Sequence, residues 1–334
     1  MKTKCIALLS GGLDSRLAIK LLQEQNIEVI ALYFSLPFGS GCCMPDCAFN
    51  FAQTRGIKLK VIDCTKGKLF QGYLSIIRKP KYGYGSAINP CIDCHIFMLK
   101  KAKELMPKFE AKFIATGEVL NERPMSQHLG ALKLVEKESC LQGKLLRPLS
   151  AKLLEETEAE KQGLVDRNKL LGIQGRSRHK QLELAKRWKL SFPTPAGGCL
   201  LCEQEFTKKL RDLFKHKKKI EPRDIELLKI GRHFRAGNNK IIVGRNEQEN
   251  KIIRSLANQD FIFEVKFIPS PITLLQGKVT EKTIRLAAAL TAAYSDAKKD
   301  RGLNVTVNYG KGKLNKSLKV KSLSDAEIDK LRLK

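Results

Sequence analysis

Acidic residues are scarce in this 334-residue sequence, which has 34 Asp and Glu against 62 Lys and Arg and a formal net charge of +28. This excess of positive charge favours a polyanionic partner such as nucleic acid, with a generically basic, solvated surface as the alternative. Long apolar runs are missing too: none approaches the roughly 18 residues of a membrane helix, and the N-terminus has no signal-peptide core. We therefore expect a cytoplasmic protein without a membrane partner.

Two common nucleotide-binding motifs are absent as well, namely the Walker loop ending in Gly-Lys-Ser/Thr and the Gly-x-Gly-x-x-Gly dinucleotide pattern. Their absence argues against ordinary kinases and dehydrogenases. The hydrophobic content of 43% and the length suffice for two domains with separate cores. Ten cysteines in a chain without a secretion signal favour metal or redox chemistry over a disulfide framework.

The segment Ser10–Ser15 (Ser-Gly-Gly-Leu-Asp-Ser) is the most informative stretch of the chain. An apolar run, Cys5–Leu9, precedes it and predicts a buried strand of a parallel sheet, and Leu17 and Leu21 follow it at helical spacing. Glycines at such a turn permit a close backbone approach, and helix N-terminal amides attract anions. The segment therefore predicts a phosphate-binding loop, with a tight turn capped by Asp14 or Ser15 as the alternative.

Further buried runs alternate with helical segments. Val29–Phe34, Lys58–Asp63 and Phe113–Glu118 read as strands, and amphipathic stretches lie between them. This rhythm predicts an α/β fold with a doubly wound parallel sheet, whose ligands bind at the carboxyl edge of the strands.

The loop resembles the signature of the PP-loop ATP pyrophosphatases, Ser-Gly-Gly-x-Asp-Ser. The resemblance implies that the loop holds the pyrophosphate of ATP and that the enzyme adenylates a carbonyl or carboxyl oxygen. A carboxylate beside phosphates suits Mg²⁺, which makes Asp14 the predicted catalytic magnesium ligand. The predicted ATP contacts are Ser10, Gly11, Gly12, Asp14 and Ser15, together with Tyr33 and Phe34 near adenine, for which core packing is the alternative.

Cysteines recur in two segments. Cys91 and Cys94 lie at the start of an amphipathic helix, where the thiolate is favoured, and Cys199 follows Gly198 before a second helix. Unrelated buried cysteines are the alternative. Both segments resemble the catalytic-cysteine segments of tRNA 2-thiouridylases, and the 4-thiouridine synthases share this two-cysteine logic. In the same family a strand ends Ala-Thr-Gly-His near the nucleotide, which implies this role for Thr116 and Gly117, although Glu118 replaces the His.

Two sulfur-transfer mechanisms remain open. In one, a persulfide on Cys199 attacks the adenylated uridine and Cys94 closes a disulfide. In the other, Cys91, Cys94 and Cys199 hold a [4Fe–4S] cluster that presents hydrosulfide as the nucleophile. The persulfide cycle has no role for Cys91, so the sequence favours the cluster. A third interpretation is a structural zinc site that also uses Cys42, Cys43, Cys47 and Cys202. The remaining cysteines, Cys5, Cys64 and Cys140, are predicted core residues.

A basic run near residues 215–223 predicts a boundary between domains 1–218 and 222–334, with a helical insertion at about 150–190 in the first. The second domain resembles the NFACT-R RNA-binding module through Gly231-Arg-His-Phe-Arg, Val243-Gly-Arg-Asn and a closing basic strand, but it departs from that pattern at 267–271. Candidate RNA contacts in the insertion and in this module are Arg176, Arg178, Lys180, Arg232, Arg235, Arg245 and Lys313.

Together these features predict an ATP-dependent tRNA sulfurtransferase that forms 4-thiouridine or 2-thiouridine. Its partners would be tRNA and a sulfur donor such as a cysteine desulfurase or free sulfide, and a homodimer is one open arrangement. Two alternatives remain: a PP-loop ligase that forms an amide or nitrile on a small substrate and carries a structural zinc, and a noncatalytic RNA-binding factor.

Overall fold

Two compact units make up the chain, Met1–Glu203 and Gln204–Lys334. The computed structural model describes residues 2–39, 45–193, 198–299 and 304–333. Within these residues, no helix combines the length and the apolar character needed to cross a bilayer.

The first unit is built on a five-stranded parallel sheet, as the buried runs predict, with the strand order β3-β2-β1-β4-β5. The strands are β1 (Lys4–Leu8), β2 (Glu28–Ser35), β3 (Lys58–Asp63), β4 (Phe113–Ala115) and β5 (Leu145–Leu146). The helices are α1 (Leu13–Gln23), α2 (Pro45–Thr54), α3 (Gly67–Arg78), α4 (Cys91–Phe109), α5 (Leu129–Ser139), α6 (Glu158–Lys161) and α7 (His179–Arg187).

Apolar side chains cover both faces of this sheet. Leu17 and Leu22 of α1 pack with Ala7 on one face, and Leu99 of α4 packs with Ile6 on the other. Because both faces are buried, β1 and β2 read as continuous apolar runs. The strand order reverses on either side of β1, so the ligand crevice of the fold lies where β1 and β4 end.

The predicted helical insertion at 150–190 is mostly irregular. It contains two three-residue 3₁₀ turns, Ala151–Leu153 and Arg167–Lys169, besides the short α6 and α7. Side chains that hydrogen-bond the backbone interrupt it: Thr157 and Asp166 each accept a backbone amide at the start of a new turn. Such local bonds compete with a continuous helix, which explains the difference from the prediction.

The second unit is a six-stranded antiparallel sheet in the order β11-β10-β8-β9-β7-β6 with helices packed on it. Ala288 and Ala292 of α11 lie against the sheet, where small side chains allow close approach. The strands are β6 (Arg232–Ala236), β7 (Asn239–Val243), β8 (Phe261–Val265), β9 (Thr273–Gln276), β10 (Val305–Lys311) and β11 (Lys316–Val320). The helices are α8 (Gln204–His216), α9 (Pro222–Leu228), α10 (Glu247–Leu256), α11 (Glu281–Ala293) and α12 (Asp325–Leu331).

The division between the units precedes α8, whereas the sequence suggests a boundary after it, near residue 218. Asp212 of α8 is the reason. Its carboxylate accepts a hydrogen bond from Arg235 Nε at 3.0 Å and lies 3.7 Å from Lys240 Nζ, so α8 is fastened to β6 and β7. A charge run marks solvent exposure, but it does not reveal which unit a neighbouring helix joins.

Candidate functional site

The loop between β1 and α1 adopts the conformation that an anion site requires. Gly11 has a φ of +85°, a region that favours glycine, and Gly12 is the N-cap of α1. Ser10 Oγ accepts a hydrogen bond from the Gly12 amide at 3.3 Å, and Ser15 Oγ donates to the Gly12 carbonyl at 2.8 Å. The side chains thus brace the loop, and the first amides of α1 remain directed toward its concave side, where a phosphate binds well.

Asp14 sits in the first turn of α1 with one carboxylate oxygen, Oδ1, buried and without a hydrogen-bond partner among the described residues. Burial raises the pKa of this carboxyl, and the nearby Arg178 guanidinium opposes that shift. Mg²⁺ typically uses one or two carboxylates plus substrate phosphates, so an orphaned oxygen beside the loop fits a magnesium ligand.

Arg178, predicted as a tRNA contact, lies inside the first unit beside the loop, with Nη2 3.9 Å from Asp14 Oδ2. Its position suits the phosphates of a nucleotide. Its neighbours Arg176 and Lys180 are exposed, as an RNA contact requires.

The end of β4 packs directly against the loop. A Cβ atom on Gly117 would lie 2.5 Å from the Ser15 backbone nitrogen, a distance that only glycine avoids. Thr116 is buried, and its hydroxyl donates to Glu118 Oε2 at 2.9 Å. The structure therefore brings the predicted Thr116 and Gly117 next to the phosphate loop.

Glu118 forms a buried ionic network that the sequence did not reveal. Its carboxylate binds Arg147 Nε at 3.0 Å and His95 Nδ1 at 2.7 Å, and it is 5% exposed. Burial raises the pKa of Glu118, but Arg147 and His95 together overcome this and hold it well below the ordinary value. Glu118 is thus linked to a His in the first turns of α4. No sequence spacing marks this pairing.

The cysteines of the two distant segments contact two neighbouring aromatic residues, Tyr73 and Phe38, whose ring centres lie 6.3 Å apart. Cys94 Sγ lies 3.2 Å from Tyr73 Oη, and Cys199 Sγ donates to the carbonyl of Phe38 at 3.5 Å. Asn89 Nδ2 donates to Cys91 Sγ at 3.3 Å. Burial raises the pKa of Cys94, and it raises the pKa of Cys199 to about 12, so both thiols are protonated at neutral pH.

These thiols do not form a preassembled metal site. Within the described residues, no three His, Cys, Asp or Glu side chains are grouped so as to hold a metal ion, which leaves the predicted cluster and zinc sites without a ready ligand set. Cys42 and Cys43 and the side chain of Cys47 lie outside the described residues. Cys5 and Cys64 are core residues as predicted.

The expectation of a core position was wrong for Cys140. It is exposed because it terminates α5 in a left-handed conformation, with a φ of +52°. Of the two aromatic residues predicted near adenine, Tyr33 packs in the core and Phe34 is half-buried.

The four predicted RNA contacts of the second unit separate into three groups. Arg232 and Arg245 line one cavity of about 620 Å³, whereas Arg235 is bound to Asp212 and serves the fold. Lys313 belongs to the β10–β11 turn, where Gly312 adjoins the Asn258 carbonyl beyond the C-terminal end of α10. Arg245 precedes the other end of α10, so the structure does not bring Lys313 to that cavity.

Two family models match the chain. Residues 3–157 match the tRNA methyl transferase HUP domain, and residues 231–332 match the NFACT protein RNA binding domain. The match to the second model coincides with most of the antiparallel unit.

Several curated relatives are tRNA-specific 2-thiouridylases named MnmA. The protein from Dehalococcoides mccartyi is 31% identical over 33% of this chain and 32% of its own length. That from Clostridium acetobutylicum is 32% identical over 35% of this chain and 36% of its own. The bifunctional protein NifU/MnmA of Rubrobacter xylanophilus is 29% identical over 34% and 24%. The chain thus matches about a third or less of each relative's length.

Solved structures are more distant. A 4-thiouridine synthetase in complex with RNA and ATP aligns with 68% of this chain and 52% of its own, at 17% identity and a TM-score of 0.37. The C-terminal part of a fibronectin/fibrinogen-binding protein from Streptococcus suis covers 72% and 98%, at 13% identity and a TM-score of 0.28. These TM-scores are too low to support an argument about fold or function.

Proposed function

We propose that the chain is an ATP-dependent tRNA sulfurtransferase, because residues 3–157 match the tRNA methyl transferase HUP domain, residues 231–332 match the NFACT protein RNA binding domain, and curated relatives of the first part are tRNA-specific 2-thiouridylases. One observation carries the proposal: Cys94 contacts Tyr73, and Cys199, far away in sequence, contacts Phe38, whose ring centre lies 6.3 Å from that of Tyr73. The start of α4 is also linked to the phosphate loop: His95 hydrogen-bonds with Glu118, and Gly117, the residue before Glu118, packs against the loop. Nucleotide and sulfur chemistry would thus share one edge of the sheet.

In the first half-reaction, ATP activates the uridine carbonyl. The base oxygen attacks the α-phosphorus, the bond to pyrophosphate breaks, and pyrophosphate leaves with the electron pair. The amides of α1 hold the leaving group, and Asp14 would carry the Mg²⁺ that neutralises its charge. Arg178 adds a fixed positive charge on the same side. This step matters because AMP is a far better leaving group than a carbonyl oxygen.

In the second half-reaction, sulfur replaces the activated oxygen. A persulfide on Cys199 attacks the base carbon with its terminal sulfur, and AMP leaves with the oxygen. The Cys94 sulfur then bonds to Cys199 as the thiolated base departs, and a thiol reductant reopens this disulfide. Because burial favours the neutral thiols, the cysteines would stay unreactive until substrate binding changes their surroundings.

Sulfur is routed through the persulfide because the described cysteines do not form a metal-ligand group. The sulfur donor would be a cysteine desulfurase, which delivers persulfide sulfur, or free sulfide, which would form the Cys199 persulfide by opening the Cys94–Cys199 disulfide with the Cys94 thiolate as leaving group. The RNA partner would be tRNA, held in part by the second unit.

The test separates the two half-reactions with single variants. We expect Asp14→Asn to abolish tRNA-dependent release of AMP and pyrophosphate, whereas Cys199→Ala keeps AMP release and loses thiolation. Cys140→Ala is the matched control, because this exposed cysteine ends α5, and it should behave as the parent protein.

Other outcomes would overturn the proposal. ATP turnover with ammonia and no tRNA would instead indicate the amide- or nitrile-forming ligase. RNA binding with no ATP turnover would indicate a noncatalytic factor. Iron and acid-labile sulfide lost together in Cys91→Ala, Cys94→Ala and Cys199→Ala would replace the persulfide step by a cluster.

A further inference from the structure

Phe267, in the turn between β8 and β9, is the most exposed large hydrophobic residue described in the chain, with 91% of its surface accessible. Its backbone has a φ of +62°, a left-handed conformation that is unfavourable for a residue with a bulky side chain. Neither the exposed ring nor the backbone stabilises the unit. Such strain at an exposed position is typical of a ligand contact.

The residues that follow Phe267 form one wall of the 620 Å³ cavity, beginning with Ile268, which is itself 36% exposed. Arg232 lies on another wall, with its guanidinium carbon 4.8 Å from the centre of the Tyr294 ring. Arg332 donates to the Tyr294 hydroxyl at 3.3 Å. Stacking fixes the plane of the Arg232 guanidinium before any ligand arrives, and such an arginine is well suited to nucleic acid.

The charges around the cavity favour a nucleobase over a bare phosphate. Lys251 and Arg254 are paired with Glu247 and Glu264, each at 2.7 Å, and Arg245 is paired with Glu249. A wall of alternating donors and acceptors matches the dipolar edge of a base, whereas a bare phosphate would face carboxylates as well as cations.

Two cations remain for a phosphate. Among the described residues, neither Arg232 nor Lys266 has a carboxylate within salt-bridge distance. Lys266 Nζ lies 4.7 Å from the centre of the Phe267 ring, so this ammonium stands beside the exposed aromatic surface. Base stacking and backbone attraction are thus available at one place.

We propose that Phe267 and the adjoining cavity bind one unpaired nucleotide of an RNA, with the base stacked on the Phe267 ring and its phosphate near Lys266 and Arg232. In an RNA duplex the bases are already stacked and paired, so only a loop, bulge or end can offer such a nucleotide. The inference rests on the RNA-binding part of the proposed function and names the element of RNA that the second unit takes.

The test measures binding of the full chain to a single-stranded oligoribonucleotide and to a duplex of equal length. We expect Phe267→Ala to weaken single-strand binding about 5- to 150-fold, as for other base-stacking aromatics, and to change duplex binding little. Phe267→Trp should retain the affinity. Ile252→Ala is the control, because Ile252 is also an exposed apolar residue of this unit but does not line the cavity.

Two further readouts distinguish stacking from damage to the fold. A 2-aminopurine in the single strand should lose fluorescence on binding the parent protein and keep it with Phe267→Ala. Phe267→Gly relieves the left-handed strain, so its melting temperature should equal or exceed that of the parent while its single-strand affinity falls. Unchanged single-strand affinity in Phe267→Ala would overturn the inference alone, whereas a parent protein that binds no RNA would overturn the RNA-binding part of the proposed function with it.

Discussion

Glu118 shows how one residue can reorganise a site without leaving a signal in the sequence. A buried carboxylate requires a counter-charge and hydrogen bonds, and the fold supplies the Arg147 guanidinium, which is 1% exposed, and a hydrogen bond with His95. The role of the neighbours Thr116 and Gly117 was implied by the resemblance of this strand end to the Ala-Thr-Gly-His of the resembled family. The sequence could not predict the pairing with Arg147, because that residue lies on a different strand connection and its partner depends on tertiary packing.

Replacing Glu118 by Gln should destabilise the first unit strongly. The change removes the more deeply buried of the two carboxylates that pair with the Arg147 guanidinium and leaves only Glu136, so we expect a loss of up to about 3–5 kcal/mol of unfolding free energy. Urea unfolding at pH 7 would measure it. Glu110→Gln is the matched control, since Glu110 pairs with Lys4 in solvent and its loss should change stability little.

The same variant predicts a pH dependence. Because the folded pKa of Glu118 is lowered, its ionised form contributes stability above the ordinary glutamate pKa of about 4.3, and this contribution is lost as the pH falls toward the folded pKa. The gap between the parent and Glu118→Gln should therefore narrow below about pH 4. A gap of constant size down to pH 3 would show that folding does not lower the pKa of Glu118.

At the scale of elements, the sequence predicted the segments whose secondary structure depends mainly on their own residues. The apolar runs of β1 to β3 lie where the sequence predicts strands. The insertion at 150–190 differs from the helical segment that the sequence predicts, because capping side chains and short turns interrupt its weak helical periodicity. Arg178 was assigned to RNA on charge alone, yet the start of α7 brings it to the phosphate loop.

The contact between the end of β4 and the phosphate loop predicts a large effect from one methyl group. In Gly117→Ala the new Cβ would meet the Ser15 amide nitrogen and the Asp14 carbonyl carbon, so the loop must move. We expect ATP affinity to fall at least tenfold, as measured by calorimetric titration. Gly72→Ala is the control, because its Cβ on α3 would meet nothing closer than Phe97 at 3.9 Å. Equal ATP affinity in both variants would show that this contact does not shape the loop.

At the scale of the whole molecule, the boundary between the two units does not coincide with the basic run near residues 215–223. Burial lowers the pKa of Lys240 to about 8, although Asp212 of α8 opposes the shift. The second unit therefore includes α8, a helix that the charge pattern alone assigns to the first unit. A run of charged residues indicates exposure to solvent. The unit to which a helix belongs depends instead on the ion pairs that the helix forms, here those of Asp212 with Arg235 and Lys240.

Two fragments test this division. Residues 204–334 should fold cooperatively, because they retain α8 and its carboxylate. Residues 219–334 lack Asp212, so Arg235 and Lys240 lose their partner, and this fragment should melt at a lower temperature or fail to fold. Circular dichroism during heating would compare them. Equal melting temperatures would contradict the assignment of α8 to the second unit.

The central claim, that this molecule thiolates tRNA, is tested most directly by incubating the purified full chain with tRNA, ATP, Mg²⁺ and a cysteine desulfurase with cysteine, which supply persulfide sulfur. Mass spectrometry of the digested tRNA then shows whether a thiouridine has formed. We predict one thiolated uridine per modified tRNA, formed together with AMP and absent when ATP is omitted or Cys199 is replaced by Ala. AMP formation without any thionucleoside, or thiolation that persists without ATP, would contradict the account.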